Sequence, residues 1–87
     1  MKTATLIKQG GHQNVYQMNP PFVDEENPKK KYKYIVVSNN GFESLIFPSN
    51  ARGDIVDYGD IGGLNDNISD RELLKMYGYT KKNPKQL

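Results

Sequence analysis

The sequence predicts a small α+β fold: an antiparallel sheet of four to five strands, with a central hairpin at 32–47, followed by one short C-terminal helix at 70–77. Three observations predict it. The segment YKYIVVS, Tyr32 to Ser38, is β-branched or aromatic nearly throughout and runs into Asn39-Asn40-Gly41, a strand signal followed by a hairpin signal. Ser69 and Glu72 stand at capping-box spacing ahead of an apolar stripe, which marks a helix start. With 87 residues, 36% of them hydrophobic, the chain can build one core but not two.

Taken in order, Thr3 to Lys8 alternates weakly around Leu6 and Ile7 and reads as a first strand. Gly10-Gly11 is a turn. Val15, Tyr16 and Met18 mark a short second strand that ends at Pro20-Pro21, because proline donates no ladder hydrogen bond. Asp24 to Lys31 (DEENPKKK) is an exposed loop. In the third strand Tyr32, Tyr34 and Val36 share one face, and Lys33, Ile35 and Val37 the other. Asn39-Asn40-Gly41 predicts a tight type I′ turn. Glu43 to Phe47 is the return strand, stopped by Pro48. Ser49 to Gly53 is a turn, and Asp54 to Asp57 a short fifth strand. Tyr58 to Asn67 is expected to be irregular and anchored by Ile61 and Leu64.

Ser69 caps the helix, Glu72 reaches back to it, and Ile68 staples onto Leu73. Leu73, Leu74, Met76 and Tyr77 form the stripe that should meet the sheet. Gly78 is placed for the left-handed residue after the helix, and Tyr79 for packing back on it. The expected domain is therefore 1–79, with 80–87 a flexible polar tail.

Composition excludes several classes. Without cysteine there are no disulfides and no thiolate metal site. No apolar run is long enough to span a membrane, and the first ten residues do not read as a signal peptide. Net charge is +2, but it is divided. Lys29, Lys30, Lys31 and Lys33 form one basic cluster, and Lys81, Lys82 and Lys85 another. Asp54, Asp57, Asp60, Asp66, Asp70 and Glu72 make the stretch between acidic.

No motif reaches the level of an active site, so the sequence predicts a non-enzymatic protein with no cofactor. His12 is the single histidine and has no partner for a metal. Asp54, Asp57 and Asp60 are spaced by three, whereas a calcium loop alternates its carboxylates and closes on a glutamate. Gly59, Gly62 and Gly63 lack the Lys-Ser/Thr pair of a phosphate loop. No serine sits in a nucleophile elbow. Lys29 to Tyr34 interleaves bases with aromatics, as a single-strand nucleic-acid surface does, but one face of that strand must be core. Nucleic acid is therefore a disfavoured partner.

Two blocks carry a resemblance. YKYIVVSNN, followed by ESLIFPSNARGDIVDYGDIGG, resembles a widespread group of small tailed-phage proteins. Their pattern runs from a Tyr-Val-Val-Val-Ser strand, through a Glu-Thr-x-Ile-Phe strand, to Asp-Gly-x-Ile-x-Asp-Trp-x-Glu-Leu. LLKMYGY resembles the group's closing helix and Gly-Tyr pair. The likeness spans Tyr32 to Tyr79. Tyr58 stands where the pattern has tryptophan, and Asp60-Ile61 where it has Glu-Leu. The N-terminal half matches less well.

The resemblance implies a phage-encoded accessory protein in the cytoplasm of an infected bacterial host. The first expectation is an inhibitor that docks on a bacterial host or defence protein, such as a CRISPR component. Its surface would comprise Arg52, Asp54, Asp57, Tyr58, Asp60 and Asp66. Three alternatives stay open: an oligomeric sponge holding a nucleotide signal through Arg52, Arg71, tyrosines and loop glycines; a nucleic-acid binder using Lys29, Lys30, Lys31 and Lys33; and a virion or assembly component.

Overall fold

The computed structural model describes residues 1–83. The fold is α+β, but among the described residues the sheet has six strands instead of four to five. They are β1 (Thr3–Gly10), β2 (Gln13–Val23), β3 (Lys31–Asn39), β4 (Ser44–Ser49), β5 (Gly62–Leu64) and β6 (Thr80–Lys82), with α1 (Asp70–Met76) between the last two. Their spatial order is β5-β4-β3-β2-β1-β6; every pair is antiparallel except β1 with β6, which is parallel.

Register explains which residues are buried. Leu6, Tyr16, Ile35 and Pro48 lie opposite one another across four strands, and Val37 lies opposite Ile46. Opposed residues share a face. That face carries the core, where Tyr16, Ile35, Val37 and Ile46 join Leu73 and Leu74 of α1. Val15, Val36 and Phe47 form the alternate row on the back face. Val15 and Val36 are also buried. The turn after β4 lies over them, and Gly53 comes so close that an added Cβ would sit 2.6 Å from Val15 Cγ2.

The expected end of the second strand at Pro20-Pro21 is wrong. β2 runs on to Val23 with a cis Asn19–Pro20 bond, and its register on β3 shifts between Gln17 and Phe22. The prolines sit inside that irregularity, where no ladder donor is required of them. Their carbonyls are served instead by the Tyr79 hydroxyl, which donates to Pro20 O at 2.8 Å and Pro21 O at 3.2 Å.

Three further expectations need correction. Asp54 to Asp57 makes only an isolated bridge, Ile55 to Ser49; the fifth strand is Gly62–Leu64, inside the stretch read as irregular. The β3–β4 connection is Asn40 to Glu43 rather than a type I′ turn. Only Gly41 has positive φ, and the Asn39 and Asn40 side chains accept the loop N–H groups. Thr80–Lys82 is not tail: it pairs with Thr3–Thr5, where β1 offers an open edge. Residues 84–87 of the expected tail lie outside the described residues.

The helix is capped much as its sequence requires. Ser69 Oγ accepts from the Glu72 N–H at 3.2 Å. Glu72 returns a different contact from the expected one, its carboxylate accepting from the Ser69 hydroxyl. At the other end Gly78 has φ +86°, with Gly78 N–H on Lys75 O and Tyr79 N–H on Leu74 O, a Schellman pair. Leu73 and Leu74 are fully buried, Tyr77 is half-buried, and Met76 is exposed.

Candidate functional site

β4 holds the loop that carries most of the expected surface. The Val56 N–H donates to Pro48 O at 3.0 Å, and the Ile61 N–H donates to Ile46 O at 2.7 Å. Those two carbonyls lie two residues apart on one strand, a separation of roughly 7 Å. The chain between them therefore leaves and rejoins the same stretch of β4. Ile61 is buried at the return, so the closed loop projects Asp57, Tyr58 and Asp60 outward. Tyr58 is 85% exposed and Val56 58% exposed. Asp57 Oδ1 accepts from the Gly59 N–H at 3.1 Å, an Asx turn that fixes the tip.

Asn50 organises the approach to this loop. Its Oδ1 accepts from the Arg52 and Asp54 N–H groups, and its Nδ2 donates to Asp54 Oδ2 at 3.1 Å. Arg52 reaches the same carboxylate oxygen at 3.2 Å. The Asn50 hydrogen bond first, and then the Arg52 charge, hold the exposed Asp54 carboxyl below its ordinary range. Arg52 and Asp54 are thus brought together, at the base of the loop.

Asp66 does not belong to this group. Leu64 pairs with Ser44 at the start of β4, whereas Ile55 bridges Ser49 at its end. Asp66 therefore stands at the opposite end of that strand from Asp54, where its carboxylate accepts from the Asn67 N–H. Among the described residues no three carboxylate or histidine groups are grouped to hold a metal.

The basic cluster of the alternative surface is split. Lys29 and Lys30 lie in the β2–β3 loop, braced by Asn27 and Asp24, while Lys31 and Lys33 lie in β3. All four are exposed, and Lys33 Nζ stands 5.8 Å from the Tyr34 ring centroid. Tyr32 packs against the core. Arg52 and Arg71 line different hollows, one on the back face with Val15 and Val36, the other beside α1. They do not meet within one chain.

Two features escaped the sequence reading. Tyr77 hydroxyl accepts from the Gly63 N–H at 2.8 Å, tying β5 to the end of α1. Arg71, Lys75 and Lys81 line one groove. The i, i+4 spacing of Arg71 and Lys75 was a visible signal for part of it. Among the described residues no helix is long and apolar enough to cross a membrane. Comparison with protein-family models, curated proteins and solved structures finds no match to this chain.

Proposed function

We propose that this is a non-enzymatic, phage-encoded accessory protein that docks its closed acidic loop on a basic surface of a bacterial host or defence protein. The observation that carries the reading is the loop from Val56 to Ile61, anchored at both ends on β4 with Tyr58 85% exposed at its tip. A tyrosine offers large, stiff contact area with a polar end, the chemistry of an interface anchor. Asp57 and Asp60 on either side of it supply the field that would steer it to a basic partner. The phage origin rests on the resemblance of Tyr32 to Tyr79 described above.

The test is capture from bacterial host lysate at low salt, using the intact chain and a variant with Tyr58→Ala, Asp57→Asn and Asp60→Asn. A specific host protein retained by the first and lost by the second, and eluted by salt, supports the reading. Identical capture by both chains, or by neither, removes it.

A further inference from the structure

A second charged surface, of opposite sign to the loop, lies between α1 and β6. Arg71, Lys75, Tyr79, Thr80 and Lys81 line a groove of about 270 Å³ there. Its charge is assembled by the topology. Arg71 and Lys75 are one helical turn apart and share a face of α1. Lys81 arrives from the edge strand, opposite Ala4 in the parallel ladder. Ala4 is fully buried on the core side, so Lys81 is directed toward the helix-bearing face and is half-buried there.

Among the described residues no acid lines the groove. The carboxylates nearest in sequence are engaged elsewhere: Asp70 accepts from Tyr16 and Asn14, and Glu72 accepts from Ser69. Among the described residues none of the three cations forms an ion pair. Lys81 Nζ donates to Asn83 Oδ1 at 2.8 Å, which leaves other ammonium protons for a ligand. Like charges gathered without a counter-charge repel, and an anion bridging them relieves that repulsion. Asp70 and Glu72 flank Arg71 along the helix and bound the positive surface on that side. A nucleic-acid backbone needs a longer continuous track.

We infer that the groove between α1 and β6 binds a small phosphorylated ligand, its phosphate oxygens held by Arg71, Lys75 and Lys81. This site goes beyond the docking loop and does not depend on it.

The experiment is an NMR titration of the full chain with inorganic pyrophosphate and, separately, with adenosine diphosphate. Saturable shifts are expected at the amides of Thr80 and Lys81 and of the last turn of α1. Arg71→Gln and Lys81→Gln, each checked for an unchanged fold, should weaken binding about tenfold or more, as loss of a charged hydrogen bond implies. Lys30→Gln, in the separate basic loop, should leave it unchanged. Tighter binding of adenosine diphosphate assigns the ligand to nucleotides, and equal binding assigns it to the phosphate chain alone; both support the inference. It is overturned by absent shifts at these residues or by an equal loss in Lys30→Gln. It is also overturned if a single-stranded oligonucleotide shifts the same amides while neither small probe does.

Discussion

The Tyr16 hydroxyl donates a 2.6 Å hydrogen bond to Asp70 Oδ2 across 54 positions of sequence, joining the middle of the sheet to the first turn of α1. Asn14 Nδ2 donates to the same oxygen at 3.0 Å. The helix is thus located by a polar clamp as well as by Leu73 and Leu74. Tyr16→Phe keeps the ring and removes the donor, so unfolding free energy should fall by about 1–2 kcal/mol in urea denaturation. An unchanged value would mean that apolar packing alone positions α1.

The same hydroxyl should give the fold an alkaline limit. Burial, and then the Asp70 hydrogen bond, push the Tyr16 phenol above its ordinary range. Burial also raises Tyr77 and Tyr79. Above about pH 10 the unfolded chain loses these protons while the folded chain keeps them. The folded state then binds more protons, so stability falls as pH rises, and these groups add no slope below that point. Denaturation between about pH 9 and pH 11.5 should show a loss approaching 1.4 kcal/mol per pH unit from Tyr16. That component should vanish in Tyr16→Phe.

Leu74 and Met76 differ in burial on one short helix. Leu74 is fully buried and Met76 is 56% exposed. Leu74→Ala should cost roughly 2–5 kcal/mol. Met76→Ala should stay within about 0.5 kcal/mol. Thermal melts of the two variants decide this, and equal shifts would contradict the packing described.

Two glycines separate backbone strain from crowding. Gly41 has φ +89° with open space beyond it, whereas a Cβ on Gly63 would lie 2.5 Å from Ser44 O. Gly41→Ala should cost about 1 kcal/mol from its left-handed conformation alone. Gly63→Ala must also displace β5 from β4, so its loss should be clearly larger, with amide exchange rising at Gly62 to Leu64. Equal losses would mean that β5 is only loosely paired.

These residues also show what the chain reveals in advance. Tyr32 to Ser38 announces a strand because β-branched and aromatic side chains suit a pleated surface in almost any context. Ser69, Glu72 and Gly78 announce the helix because capping is local chemistry. β5 and β6 are different. Each has three residues, Gly62–Leu64 and Thr80–Lys82, whose composition favours no strand; they exist because β4 and β1 present open edges far away in sequence. Pro20-Pro21 misleads for a related reason: the donor that serves their carbonyls is Tyr79, 58 or 59 positions away. At the candidate site the acids were legible one by one. Their arrangement was not, since Asp66 stands at the opposite end of β4 from Asp54, and the closure of the loop depends on the carbonyls of Ile46 and Pro48.

The docking reading is tested most directly by a photo-crosslinkable amino acid at Tyr58, compared with one at Lys29, in living bacterial host cells. The expected result is one discrete crosslinked host protein from position 58, none from position 29, and loss of the product when Asp57 and Asp60 are neutralised. Equal crosslinking from both positions, or none from Tyr58, would contradict a protein-docking role for the loop.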